Sequence, residues 1–381
     1  MKEAGSKIWL RGVVVSLVLA GLGIVTISRA QRAAGGEAEA KAKAAPAAVP
    51  ESEDYPQINP TRGPVDLGMT DPALVGAIDI HAHLDPDAPG SSGQVRAIDA
   101  VDQAVMAEAR GMRGFVFKTH LDPDSAAVAY LVRKHVTPGL QVFGRMPLNF
   151  AEGGINVAAV HHFSQIKGGW GRIVEMPTLD SYFSTRDESP ERIASARPWM
   201  LFMPPDAPRF VPTTRNGELL PEVKYLIATM AKIRTVDSNG RLVLATGHAT
   251  AEEHLLLAKE GRAQGLQVLI THGRRLSIPR LQELVKLGAF IEFTGFDFAR
   301  QNAQEQIRDA VEKIHAIGAN SIVIGSDCGQ MVNPLPTDCM VMIARGLRAR
   351  GITEREIDMM FKENGARMLG LNMEAIKEEN K

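Results

Sequence analysis

The stretch AIDIHAH, residues 77–83, is a short apolar run that ends in two histidines. Apolar runs of this length indicate buried β-strands. Four later runs follow the same design, in which a polar residue stands at or just past the end of the apolar stretch: GFVFKTH at 114–120, RLVLATGH at 241–248, QVLITH at 267–272 and SIVIGSD at 321–327. In a parallel α/β barrel all strand ends open onto one face, so these polar side chains are expected to converge there.

Helical stretches separate these runs, as they do in stacked βαβ units. We predict an α/β fold of the (β/α)8 TIM-type barrel class, with a three-layer open α/β sheet as the alternative. The predicted strands cover residues 77–83, 114–120, 141–147, 172–176, 241–246, 268–272, 289–294 and 321–327. The predicted helices cover residues 98–110, 125–135, 252–264, 278–287, 304–317, 338–350 and 354–369.

Residues 178–222 interrupt this alternation directly after the fourth strand. The segment is rich in proline and carries turn signals at Pro204-Pro205 and Asn216-Gly217. Because it follows a strand end, it is expected to emerge at the active-site face and to form a lid or substrate loop. A surface excursion without a role in the site is the alternative.

Composition places the chain among globular proteins that are large enough to bury a sizeable core. It has 381 residues, of which 45% are hydrophobic and 23% are charged, and its net charge is −1. The sequence contains no block of lysine and arginine and no interleaving of aromatic and basic residues. Nucleic acid is therefore not an expected partner.

The N-terminus has the layout of a secretory signal peptide. Three basic residues precede an apolar run at 12–27, and small residues follow at the spacing of a cleavage site. An uncleaved membrane anchor through 12–27 is the alternative. In both cases the folded part is expected outside the cytoplasm, either periplasmic or secreted, or held at the membrane. We assign residues 1–30 to the signal or anchor, 31–70 to a flexible linker rich in Ala and Pro, and 71–381 to the barrel.

Two cysteines, Cys328 and Cys339, do not make a disulfide framework. We predict two buried thiols, and a disulfide bridge in an oxidising compartment is the alternative.

His81 and His83 carry the strongest local signal for metal binding. Residues two apart on a strand point to the same side, so both imidazoles can hold one cation. Neutral imidazole is a ligand for zinc, iron or nickel. Asp79 shares their face and is expected either to accept hydrogen bonds behind the ligands or to lie in the bottom layer of the barrel.

Lys118 and His120 share a face at the end of the second strand. A lysine that points into a barrel is costly unless it is paired or used. Three functional roles are open for Lys118: a carboxylated bridge between two metals, a binder of a substrate anion, or a proton shuttle. The alternative is a structural lysine paired with Asp79 or Asp85. His120 is either a ligand or a group behind the ligands.

His248 and His272 end consecutive strands and are predicted metal ligands. Asp327 ends the eighth strand, where a carboxylate can bind the metal and take a proton from the attacking water. Arg274 is a candidate for binding an anionic substrate, or else it pairs with acids of a neighbouring loop. No role is assigned to the other histidines: His135 and His315 in helices, His254 on a helix surface, and His161 and His162.

Together these residues resemble the pattern of the amidohydrolase superfamily. That pattern is His-x-His after strand 1, a bridging Lys or Glu, one His after strand 5, one after strand 6, and Asp after strand 8. The positions that match are His81, His83, His248, His272 and Asp327. Further segments between about residues 70 and 372 resemble an amidohydrolase-like branch: AIDIHAHLDPD, RGFVFKTH, GGINVAAV, VEMPTLDSYF, LATGHAT, SDCGQMVNPLPTD and ENGARMLGL.

The resemblance implies a hydrolase that uses metal-activated hydroxide on an amide, lactone, ester or phosphoester bond of a small molecule. It implies one or two divalent ions, with zinc first and manganese, iron or nickel as alternatives. Binuclear members take their bridging lysine from strand 4, whereas here Lys118 is on strand 2 and strand 4 offers Glu175, so the metal count stays open. A one-metal decarboxylase and a catalytically silent binding barrel are the alternatives. A homo-oligomer is compatible with each of them.

Overall fold

The computed structural model describes residues 66–87, 95–120, 124–189, 206–299 and 302–372, with 197, 200 and 202–204 between them. Eight parallel strands form one sheet, in which each strand pairs with the next one along the chain. They are β1 (Ile78–His83), β2 (Gly114–Lys118), β3 (Gln141–Pro147), β4 (Gly171–Glu175), β5 (Val243–Ala245), β6 (Gln267–Ile270), β7 (Phe290–Thr294) and β8 (Ile322–Gly325).

The chain just past β8 returns to β1 and nearly closes the sheet. The amide of Asp327 donates to the carbonyl of His81, and the amide of His83 donates to the carbonyl of Cys328. The sheet is therefore a nearly closed barrel. This confirms the (β/α)8 prediction and excludes the open-sheet alternative.

Helices follow the strands and cover the outside of the barrel. The main ones are α1 (Ala100–Ala109), α2 (Ser125–His135), α3 (Val157–Ser164), α4 (Pro221–Lys232), α5 (Ala251–Ala263), α6 (Ile278–Lys286), α7 (Ala303–Ile317) and α8 (Pro336–Arg348). The C-terminal helix, expected to be continuous, contains a π-helical turn at Met359–Glu363 between Glu354–Asp358 and Asn364–Leu369. The strands are buried on both faces, because helices cover one side and the barrel interior the other.

The barrel interior is arranged in layers, because alternate residues of a strand share a face. The bottom layer is apolar and packs against Leu369 at the end of the C-terminal helix: Ile80, Val116, Phe143, Ile173, Leu269, Phe290 and Val323. The next layer lies two residues further along four of these strands and is charged and fully buried: Lys118, Arg145, Glu175 and Glu292. The strand ends above this charged layer carry the candidate site.

Segment 178–222 is tied to the same end of the barrel. It contains a one-turn helix, Tyr182–Thr185, and a short antiparallel hairpin of Thr214–Arg215 and Glu218–Leu219. At its base, the amide of Val211 donates to the carbonyl of Asp180 at 2.8 Å. Residues 180 and 211 of the segment thus lie side by side.

The prediction for the two cysteines was wrong. Cys328 and Cys339 form a disulfide, with their Cα atoms 6.6 Å apart and eleven positions apart in sequence. The chain turns between β8 and α8 and brings the two residues together. Sequence spacing alone carries no information about that turn.

The predicted signal or anchor at 1–30 and nearly all of the predicted linker lie outside the described residues. No helix in the part of the chain that the structure describes is long and apolar enough to cross a membrane.

Candidate metal centre

Three ligand atoms converge at the top of β1 and β8. His81 Nε2 lies 3.2 Å from His83 Nε2, and Asp327 Oδ1 lies 3.3 Å from the first and 3.0 Å from the second. All three residues are buried. Among the described residues, they are the one group of three histidine, cysteine or carboxylate side chains whose ligand atoms meet within 4.8 Å.

The protonation of these groups suits a cation at their centre. Burial, with the charge of Arg145 in addition, lowers the pKa of His81 well below its usual value, and burial has the same effect on His83. Both imidazoles are therefore neutral at pH 7. His81 Nδ1 lies 3.1 Å from Glu292 Oε1, so that nitrogen donates its proton to the carboxylate and Nε2 keeps its lone pair.

The distances within the triad also fit one metal ion. Ligand atoms about 2.0–2.2 Å from one tetrahedral zinc ion are about 3.3–3.6 Å apart. The three observed separations, 3.0 to 3.3 Å, are close to that range. His81, His83 and Asp327 thus fit a divalent cation by donor type, protonation and spacing.

Five imidazole rings surround this point. Their centroids form a closed circuit with separations of 5.0 Å (His81–His83), 4.7 Å (His83–His120), 6.2 Å (His120–His248), 5.2 Å (His248–His272) and 5.6 Å (His272–His81). All four predicted histidine ligands are therefore in the circuit, and His120 completes it. His272 Nδ1 lies 3.7 Å from Asp327 Oδ2, whereas His248 Nδ1 is bonded to Ser184 Oγ at 3.0 Å.

Two residues of the site, one histidine and one aspartate, have an unusual backbone conformation. His272 and Asp327 both adopt the left-handed conformation, each with φ of 51°. For residues other than glycine this conformation costs on the order of 1–3 kcal/mol, and such residues concentrate at functional sites. Gly325, two residues before Asp327, leaves the room that His81 needs, since a Cβ there would lie 2.7 Å from the Cβ of His81.

Asp327 has the protonation behaviour of an acid–base group. Burial raises the pKa of its carboxyl to about 7, against the lowering effect of the Lys118 charge. A carboxylate with this pKa can accept a proton near neutral pH and release it again.

Arg145 and Glu292 are buried charged residues that the sequence analysis missed. Glu292 accepts hydrogen bonds from Arg145 Nη1 at 2.8 Å and from the amide of His272 at 2.9 Å, besides its contact with His81. Arg145 also holds Glu175 through two bonds, of 3.0 and 2.5 Å. The signal was present in the sequence as a charged residue inside the apolar runs of β3 and β7, QVFGRMP and FIEFT.

Lys118 points into the charged layer, as its side chain is fully buried. Its Nζ lies 3.9 Å from Glu175 Oε2 and 3.5 Å from His120 Nδ1. Burial lowers the pKa of the Lys118 amine, and Glu175 opposes that shift. The predicted structural partners, Asp79 and Asp85, are not its contacts.

Asp79 supports the backbone of the site instead. Its Oδ1 accepts the amides of His81 at 3.0 Å and Ser326 at 2.8 Å. This agrees with the expectation that Asp79 accepts hydrogen bonds behind the ligands.

Arg274 is directed away from the histidines. Its guanidinium bonds to Asp297, Asp309 and Gln306, so it follows the alternative of pairing with acids on nearby segments. The expectation for His254 was wrong, since its side chain is buried and Nδ1 lies 2.7 Å from Thr246 Oγ1. An inward-facing position on α5 with a hydroxyl partner accounts for the difference.

Residues 76–292 match the family model described as a family of unknown function, DUF6282. The chain belongs to this family. The matched region of this DUF6282 protein includes the four predicted histidine ligands, Lys118, Glu175 and Glu292, whereas Asp327 lies beyond it. No curated protein matches the sequence.

Solved structures share the fold of this DUF6282 protein. An amidohydrolase from Burkholderia multivorans, solved with bound zinc, gives a TM-score of 0.51 at 13% identity, over 78% of this chain and 99% of that one. A protein from Pseudomonas putida, proposed to be a 2-pyrone-4,6-dicarboxylic acid hydrolase, gives a TM-score of 0.50 at 15% identity, over 78% and 98%. At these identities the likeness establishes the fold alone, which is a (β/α)8 barrel.

Proposed function

We propose that this DUF6282 protein is a metal-dependent hydrolase of a small molecule. The observation that carries the proposal is the convergence of two neutral imidazoles and one buried carboxylate, whose donor atoms lie 3.0 to 3.3 Å apart. Imidazole and carboxylate groups are ligands for a divalent metal, and the carboxylate can also act as the base of the reaction.

Each residue of the site has a place in this reaction. His81, His83 and Asp327 would hold the metal, and His272 and His248, two further rings of the imidazole circuit, would complete its coordination. A divalent ion bound there supplies Lewis acidity and activates a water molecule. The Asp327 carboxylate would take up a proton from the attacking water and pass it to the leaving group. Glu292 holds His81 in the tautomer that can ligate.

The choice of metal and bond draws on the structural relatives. Zinc is proposed first because the Burkholderia multivorans amidohydrolase carries it. Amide, lactone and ester bonds are proposed because the two relatives are described as an amidohydrolase and a proposed 2-pyrone-4,6-dicarboxylic acid hydrolase, and a 2-pyrone is a cyclic ester. The charge of Lys118 beside the imidazole circuit favours a substrate with an anionic group.

Export of the protein is a further part of the proposal. Disulfides persist in oxidising compartments such as the periplasm, and the Cys328–Cys339 bridge supports such a location. Cell fractionation with N-terminal sequencing decides it, and a soluble cytoplasmic product with an intact N-terminus contradicts it.

The experiment for the main proposal is a turnover assay of the full chain. Zinc- and manganese-loaded protein is offered a panel of lactones, amides, esters and phosphoesters, with Asp327→Asn as the control. We expect hydrolysis of at least one class that requires both the metal and Asp327. Release of CO₂ from a carboxylated substrate would favour the one-metal decarboxylase, and binding without turnover would favour the silent barrel.

A further inference from the structure

Glu175 on β4 is one of the candidate metal bridges, and both of its oxygens already accept hydrogen bonds. Arg145 donates to Oε2 through Nε at 3.0 Å and to Oε1 through Nη2 at 2.5 Å. Thr271 Oγ1 donates to Oε1 at 3.1 Å. To give an oxygen to a metal, Glu175 would have to weaken its hydrogen bonds to the buried Arg145 guanidinium and leave Glu292 as the remaining carboxylate paired with that charge, which is unfavourable.

Lys118 is the other candidate bridge, and its surroundings suit an ammonium ion. The amine faces Glu175 Oε2 at 3.9 Å, and both side chains are fully buried. Carboxylation of the amine would put a second anion against that carboxylate. The two anions would repel each other in a region from which water is excluded.

The charge of the whole buried layer leads to the same conclusion. Lys118 and Arg145 both face Glu175, and Arg145 also bonds to Glu292, so the layer pairs two basic side chains with two acidic ones. The layer is therefore neutral with Lys118 as an ammonium ion. With a carboxylated lysine, and before any metal ion is counted, the layer would hold three negative charges against one positive charge.

The ligand geometry offers one preformed cation position. Within the described part of the chain, one set of three ligand atoms converges, on His81, His83 and Asp327. His248 and His120, whose Nδ1 atoms contact Ser184 and Thr178, do not belong to that set.

We infer that Arg145 withdraws Glu175 from the ligand set and that Lys118 remains an ammonium ion, so that the centre holds a single divalent cation. In this arrangement Lys118 supplies the positive charge that a second metal would supply. The inference rests on the proposed metal-dependent function and narrows it to a one-metal reaction.

The test is the metal content of the full-length protein, loaded with zinc or manganese in the presence and absence of bicarbonate. We expect one ion per chain in both conditions, and Mn²⁺ spectra in electron paramagnetic resonance of an isolated ion. The Lys118→Met variant should keep its one ion. Lys362→Met is the matched control, because Lys362 is a buried lysine that pairs with Asp358 outside the site.

Two ions per chain, an exchange-coupled Mn²⁺ pair, or the loss of one ion in Lys118→Met would overturn the inference while leaving the proposed function standing. Protein that binds no ion under any condition would overturn the proposed function itself. Labelling with ¹³C-bicarbonate keeps the test decisive if Lys118→Met does not fold. We expect no lysine carbamate resonance in the wild-type protein, and such a resonance would contradict the inference.

Discussion

Glu292 Oε1 lies 3.1 Å from His81 Nδ1, in the fully buried layer beneath the imidazole circuit. The same carboxylate accepts the backbone amide of His272 and a hydrogen bond from Arg145. One side chain on β7 thus fixes the ring orientation of one ligand and the backbone of another candidate ligand. The metal affinity of the site should therefore depend on a residue that does not touch the metal.

We expect Glu292→Gln to weaken zinc binding about 10-fold to 100-fold, which is typical for the partner of a ligating histidine. The measurement is zinc affinity by competition with a chelator. The matched control is Glu253→Gln, since Glu253 is a buried carboxylate that bonds to Thr213 and Thr214 rather than to the histidines. Equal affinities for the two variants would show that Glu292 has no such role.

Asp327→Asn should abolish most turnover and leave most metal binding intact. The amide oxygen can still serve as a ligand, but the side chain can no longer accept the proton. Loss of a general base typically lowers the rate about 100-fold to 10,000-fold. Rates on any substrate found, together with metal content, give the answer. Asp297→Asn is the control, because Asp297 pairs with Arg274 and Arg275. Near-normal turnover in Asp327→Asn would remove the assigned role.

The Cys328–Cys339 disulfide should stabilise the fold at the loop that carries Asp327. Its two cysteines are eleven positions apart, and closing a loop of this size contributes about 2–4 kcal/mol. We expect the double variant Cys328→Ser/Cys339→Ser to lose about that much free energy of unfolding. Denaturant unfolding with and without a reducing agent measures the loss. A reducing agent should destabilise the wild type but not the double variant, and equal sensitivity of the two would refute the prediction.

His254 should make stability depend on pH. Burial lowers the pKa of His254 to about 4 in the folded protein, so the unfolded chain binds more protons between pH 6.5 and pH 4. The contribution of His254 to the free energy of unfolding is therefore fully present above pH 6.5 and is lost as the pH falls towards 4. At pH 5 the loss from this one residue is about 2 kcal/mol.

Between pH 7.5 and pH 5 the free energy of unfolding should fall in both proteins, and we expect it to fall about 2 kcal/mol less in His254→Gln than in the wild type. Denaturant unfolding at the two pH values measures both changes. The control is His315→Gln, which alters an exposed histidine on α7. A His254→Gln protein with the wild-type pH dependence would show that His254 is not held neutral.

The sequence predicted the barrel and the histidine positions for a common physical reason. Strands are short apolar runs, and the parallel barrel gathers their ends at one face, so a residue such as His248 can be placed from local pattern alone. The predicted ends of the strands and helices were less accurate than their positions along the chain. The fifth strand, predicted over 241–246, is limited to Val243–Ala245. Hydrogen bonding to neighbouring strands sets those ends, and a local pattern does not contain it.

The parts that were missed depend on contacts between distant segments. Arg145 and Glu292 are far apart in sequence and lie on non-adjacent strands, so their pairing requires the closed barrel. Cys328 and Cys339 meet because of a turn, and His254 is buried because of its partner Thr246. In each case the partner determines the environment of the residue.

The most direct measurement is anomalous X-ray diffraction from crystals of the zinc-loaded protein. The account predicts one zinc peak per chain, bound by His81 Nε2, His83 Nε2 and Asp327, with Lys118 uncarboxylated beside Glu175. No peak, or a peak away from His81, His83 and Asp327, would contradict it.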